Sequence, residues 1–129
     1  MNVTYVIEGS EITGLERFWE VVGEAVNGPG GYFGRNLDAF ADCLSGGMGT
    51  PDDGDFVIEW RDHTRSAEAL GHPETARCLS RIAQRAHPTS RIRLQAEIVE
   101  ALAGRGPTLF DRLVEIIRER TGPDSLRLT

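Results

Sequence analysis

Residues 31–44 read GYFGRNLDAFADCL. A glycine-flanked aromatic pair, Tyr32-Phe33, leads through Gly34 and Arg35 to Asn36, whose side chain suits the first position of a helix because it can accept from a free backbone N–H. The spacing predicts a short helix over 36–44. At 100° per residue Leu37, Phe40, Ala41 and Leu44 share one face and are expected to bury. Asp38 and Asp42 stack four residues apart on a neighbouring stripe that Ser45 extends. Like charges so placed cost a helix about 0.2–0.5 kcal/mol. Asp38 recovers part of this beside the positive helix start, whereas Asp42 lies a turn farther on, where that field fades. Local chemistry leaves two readings open. The aspartates are either a solvated outer face or a pair kept for a cationic partner.

Upstream of this helix, Val3, Tyr5 and Ile7 alternate as a first strand. Thr13 and Glu16 have the spacing of a capping box. The helix that follows carries Leu15, Phe18, Trp19, Val22 and Val26 at helical spacing, with Trp19 expected in the core. Asn27-Gly28-Pro29-Gly30-Gly31 ends it. Downstream, 46–54 is a loop rich in Gly, Asp and Pro, and 55–60 (Asp-Phe-Val-Ile-Glu-Trp) reads as a buried strand. A short helix over 62–70 follows, with Asp62 or Thr64 as its cap. Further helices are expected over about 73–86, 90–103 and 107–121, with Leu126 and Leu128 alternating in a terminal strand. Glu59 and Trp60 are packing residues, either of which could hydrogen-bond to the following helix. Helical crossovers between strands imply a parallel sheet. The fold class expected is therefore α/β, a three-stranded parallel sheet packed with helices, in one domain over 1–129.

Apolar residues make up 40% and charged residues 26% of the 129 residues, ordinary for a folded chain. The net charge of −6 is unevenly spread. Residues 1–59 hold eleven acids against two arginines, and residues 60–129 nine acids against twelve arginines. An acidic half argues against nucleic-acid binding, which needs clustered basic side chains. It suits a basic partner, with faster encounter and salt-sensitive binding. No apolar run approaches a membrane span. The amino terminus has no basic start of the kind a secretory signal shows, and Cys43 and Cys78 do not make a disulfide framework. A cytoplasmic protein with two reduced thiols is expected.

The 31–46 segment closely resembles the signature of the barstar family, intracellular inhibitors of barnase-type ribonucleases. The resemblance rests on Tyr32, Phe33, Gly34, Asn36, Leu37, Asp38, Ala39, Asp42, Cys43, Leu44 and Gly46, and on Phe56-Val57-Ile58-Glu59-Trp60-Arg61, which looks like the family's second strand. It implies a non-enzymatic inhibitor that places helix-borne aspartates in the phosphate pocket of a basic secreted ribonuclease, in a 1:1 complex, the free inhibitor being a monomer. Carried over, Asp42 is the main anchor and Asp38 its partner. Tyr32 stacks on the nuclease rim with Phe33 beside it, and the contact surface takes in Gly34, Arg35, Asn36, Leu37, Ala39, Ser45, Gly46, Met48 and, by a looser alignment, Glu119.

Three departures matter. Ala41 and Gly47-Met48 stand where the best-known pattern has aromatics, and Arg35 replaces an acid. Residues 71–106 exceed a minimal barstar and read as an extra helical insertion, with six arginines against three glutamates. These differences motivate an alternative, an immunity or regulatory module for a different basic toxin. A third reading is a small hydrolase using Asp38, Asp42 and His63 around a metal. His63, His72 and His87 are scattered without zinc-ligand spacing, and Asp62-His63 reads more simply as a helix start. No cofactor or metal is expected.

Overall fold

The computed structural model describes residues 3–129; Met1 and Asn2, which open the amino-terminal stretch considered above, lie outside the described residues. Three strands form one parallel sheet: β1 (Val3–Glu8), β2 (Phe56–Arg61) and β3 (Leu126–Leu128), in the order β1-β2-β3. Val3 stands beside Phe56 and Ile58 beside Leu126. Between β1 and β2 run α1 (Leu15–Asn27) and α2 (Leu37–Leu44). Between β2 and β3 run α3 (His63–Ala69), α4 (His72–Arg85), α5 (Pro88–Leu102) and α6 (Leu109–Thr121). Parallel pairing requires such crossovers, and the expected α/β class with its extra helices is what the chain adopts.

The sheet contributes alternate residues to the core. Ile7, Phe56, Ile58, Trp60 and Leu126 point into one cluster with Phe18, Trp19, Phe40, Leu113 and Ile117. The opposite face carries Thr4, Val6 and Arg127, all exposed, and the ion pairs of Arg61 with Glu59 at 2.7 Å and Glu8 at 3.3 Å. At the centre Phe18 stacks on Trp60 with ring centroids 5.3 Å apart and meets Phe40 edge-on at 5.4 Å. Such aromatic pairs add to the stabilisation from burial alone. Trp60 anchors the following helix, as one of the two residues singled out for that task. Its Nε1 donates to Ser66 Oγ in α3 at 2.9 Å, and that hydroxyl donates to Gly9 O at 2.9 Å.

Helix ends depart from the sequence reading in instructive ways. Thr13 and Glu16 form no capping box. Gly14 occupies the cap position of α1, and the first free amide, Leu15 N–H, donates instead to Glu74 Oε2 of α4 at 2.8 Å. Glu16 is drawn away by Arg77 and Arg81, at 2.7 and 2.6 Å. Asp62 precedes α3 in the left-handed region, φ 48°, with no side-chain cap. Pro88 ends one helix and opens the next: α5 begins on Pro88, with His87 Nδ1 accepting from Thr89 N–H. The last helix starts at Leu109 rather than Pro107, because Thr108 and Asp111 form a reciprocal capping box.

Candidate functional site

The segment 31–48 is a short helix slung between two glycine-rich turns. Asn36 caps α2 as expected, its Oδ1 accepting from Ala39 N–H at 2.8 Å. Phe40, Ala41, Cys43 and Leu44 bury, and Leu37 is half-buried. Gly34 is buried with φ +91°; a Cβ there would lie 2.6 Å from Phe40 N and 2.7 Å from its Cα. The loop therefore lies directly against the helix it feeds, an approach open only to glycine.

The aromatic pair splits. Phe33 is 1% exposed and meets Phe40 edge-on at 6.0 Å. It is a core residue that pins the loop and offers a partner no surface, which corrects the expectation that it lies beside Tyr32 on the contact face. A two-faced loop must bury one of two adjacent side chains, and the pocket above Phe40 takes the more apolar. Tyr32 stays out, 41% exposed, with the Arg35 guanidinium 6.0 Å over its ring. Arg35 is thus parked on an aromatic face by a cation–π contact.

Asp38 and Asp42 are both exposed. Among the described residues no hydrogen bond or ion pair engages either carboxylate. The surface around them is built from Tyr32, Arg35, Asn36, Ser45, Gly46 and Met48, all exposed, with Ala39 half-buried. Burial pushes the Cys43 thiol above its ordinary range, and the neighbouring Asp42 charge adds to this.

Two residues outside the expected set hold this surface in place. Asn27 Nδ2 donates to Tyr32 O and to Met48 O, each at 2.8 Å. One amide thereby ties together the turns that precede and follow α2. Gly49, φ +116°, makes room for it, since a Cβ there would sit 2.1 Å from Asn27 Oδ1. Arg120 Nη1 donates to Ser45 Oγ at 3.2 Å, fastening α6 to the end of α2. Asn27 reads in sequence only as a helix end, and nothing local points 21 residues downstream. Glu119 was expected on the contact face. It is exposed, on a shallow surface that Phe110, Glu115, Arg118 and Leu128 also line. Its neighbour Arg120 is the residue that reaches α2, because consecutive helical positions point 100° apart.

Beside the acidic stripe a cleft of about 880 Å³ opens between α1, the 30–37 turn and α4. Trp19, Leu37, Leu79 and Ile82 line it, as do Tyr32, Arg35 and Asn36, so it is continuous with the exposed face of the segment. The metal-hydrolase reading finds no constellation. No group of three His, Cys, Asp or Glu side chains that could hold a metal is present among the described residues. His63 instead stacks on Phe110 and places Nδ1 2.7 Å from Thr129 O.

The family model described as Barstar (barnase inhibitor) matches residues 2–95. The chain belongs to the barstar family. Membership carries the family's general role, inhibition of a ribonuclease through protein–protein contact by a protein that is not an enzyme. The match covers β1, α1, α2 and β2 and runs on through α4 into α5, so most of the 71–106 insertion falls inside it. No curated protein matches the chain. Within this barstar-family frame the segment 31–48, with its free acid pair, is the candidate interface.

Proposed function

We propose that this chain blocks the active site of a basic secreted ribonuclease, in a 1:1 complex, and protects the cytoplasm of the cell that makes the enzyme. The reading is carried by one observation: Asp38 and Asp42 stand exposed and, among the described residues, unpaired, one turn apart, on a helix whose ends are held by Asn36, Phe33 and Asn27. A ribonuclease pocket is built for anionic phosphate. Two carboxylates at fixed spacing meet its cationic groups with charge-assisted hydrogen bonds and offer no bond to cleave. The rigid helix leaves little side-chain freedom to be lost on binding. The excess of acids in residues 1–59 steers encounter with a basic enzyme.

Inhibition titrations and calorimetry with a barnase-type guanyl-specific ribonuclease test this. Asp42→Ala is expected to cost about 2–5 kcal/mol of binding, the usual loss when one partner of a buried, hydrogen-bonded charge pair is truncated. Asp38→Ala should cost less, and rising salt should weaken the wild-type complex. A loss below about half a kcal/mol for Asp42→Ala, within the range of an ordinary surface change, refutes the anchor. Recovery from the producing cell's secretions of a basic toxin without ribonuclease activity would transfer the same surface to the immunity-module reading.

A further inference from the structure

The helix pair α4–α5 is joined to the rest of the fold chiefly through α4. Thr75, Ala76, Cys78 and Leu79 of α4 are buried, and Glu74 and Arg77 tie it to the start of α1. The buried residues of α5 are Leu94 and Ala101. The side of α5 opposite them carries Ile92, Gln95, Ala96, Val99 and Ala103, every one exposed and none charged. At 100° per residue these five fall within an arc of about 100°, the width of a stripe that normally faces a core. Ile92 is 77% and Val99 60% exposed, and Leu102, on one shoulder, is 72% exposed. Scattered exposed apolar side chains need no explanation, but a continuous uncharged face marks an interaction surface.

We infer that this face pairs with the same face of a second copy of the chain, the two α5 helices lying antiparallel about a two-fold axis near Gln95 and Ala96. The stripe is complementary to itself in that arrangement. Each Ile92 meets the other copy's Val99, and the small Ala96 at the centre lets the backbones approach. Charge complementarity selects the antiparallel direction. Arg93 and Glu100 lie on one shoulder of the stripe, the arginine towards the helix start and the acid towards its end. A two-fold axis perpendicular to both helices keeps equivalent shoulders on the same side. Each Arg93 therefore falls beside the other copy's Glu100. Among the described residues Arg93 has no partner within its own chain. Glu100 is held by Arg105 at 2.8 Å, an exposed pair that exchanges at little cost.

A helix of fifteen residues is about 22 Å long. One such pair buries less than the roughly 1,600 Å² of a standard stable interface, so the dimer is a weak one that forms at high protein concentration. The sequence reading expected a monomer; the uncharged face of α5 is what points to a dimer. No residue of α5 lines the cleft beside α2, so the pairing leaves the inhibitory surface open and does not depend on the proposed inhibition.

Sedimentation equilibrium of the full chain from micromolar to near-millimolar concentration tests the pairing. The wild type should show a reversible monomer–dimer equilibrium. Val99→Asp should weaken association by about tenfold or more, equivalent to about 1.4 kcal/mol. Arg93→Glu should weaken it as well, and Arg93→Glu combined with Glu100→Arg should restore it. All variants should keep the wild-type circular dichroism and the wild-type inhibition of ribonuclease, which separates failure of the pairing from failure of the inhibitor reading. A monomer at every concentration, a dimer indifferent to Val99→Asp, or a charge-swapped variant that stays dissociated would overturn the inference. So would protection of α5 amides from exchange on addition of ribonuclease alone, which would give the face to the nuclease.

Discussion

The side-chain amide of Asn27 donates to the backbone carbonyl of Met48 at 2.8 Å, across 21 residues of chain. The same nitrogen donates to Tyr32 O, so the last residue of α1 closes the loop that carries the acidic helix into a ring. The relation matters because rigidity of α2 is what spares the inhibitor an ordering cost on binding.

Asn27→Ala removes both bonds at once. At about 1 kcal/mol net for each hydrogen bond, and with both carbonyls near solvent, the stability loss in urea denaturation should be about 1–2 kcal/mol. Ribonuclease binding should fall although Asn27 need not touch the enzyme. An affinity unchanged within error would show that the clamp has no part in presenting Asp38 and Asp42.

Gly34→Ala places a Cβ 2.6 Å from Phe40 N in a residue at φ +91°. The left-handed conformation costs an L-residue about 1–2 kcal/mol, and overpacking typically adds about 1–3 kcal/mol. Chemical denaturation should show the sum or a large part of it. Gly46→Ala, at φ +127° with open space around its Cβ position, should show only the conformational part. Equal losses in the two variants would rule out the close approach as the cause.

Ser66→Ala breaks the relay from Trp60 through Ser66 to Gly9, all three groups being buried. The stranded indole N–H should cost about 1–3 kcal/mol. The fluorescence of Trp60 should change while ribonuclease inhibition at saturating concentration persists, since neither residue lies in the 31–48 segment. A thermal unfolding midpoint equal to wild type would mean that the relay contributes nothing.

Acid should loosen the junction of α1 with α4. The hydrogen bond from Arg77 holds the Glu74 carboxyl below its ordinary value of 4.5; the Leu15 N–H works in the same direction and burial opposes both. Arg77 acts likewise on Glu16. A carboxyl whose pKa is depressed in the folded protein contributes stability that is fully present above the unfolded pKa and is lost as pH falls through the folded one. Thermal melts should therefore show this contribution intact at neutral pH and fading below about pH 4.5. Glu74→Gln should lower the midpoint at neutral pH and flatten the acid limb. Parallel wild-type and variant curves between about pH 3 and 5 would contradict the assignment.

The helix over 36–44 was legible because its signals are local. A capping asparagine, a buried stripe and an acid pair all fall within nine residues, and α2 follows them at Leu37–Leu44. Strand β2 and the core position of Trp19 were legible for the same reason. The reach of Arg120 to Ser45 was not legible, because sequence alone does not resolve which side chain of α6 turns towards α2. The fate of Phe33 was unreadable because either member of Tyr32-Phe33 could have turned inward until Phe40 and Gly34 were seen to shape the pocket.

From the sequence by itself came the order of strands and helices, the spacing of Asp38 and Asp42, and the face that must bury, because periods of 2 and 3.6 are properties of a chain segment alone. Only the tertiary structure decided that β2 lies in the middle of the sheet, that Glu74 caps α1, that Asn27 closes the loop around α2 and that α5 shows an uncharged face outward. Each of these depends on which distant backbone amide, carbonyl or apolar surface is left without a partner once the chain has packed, and local residue order does not encode that.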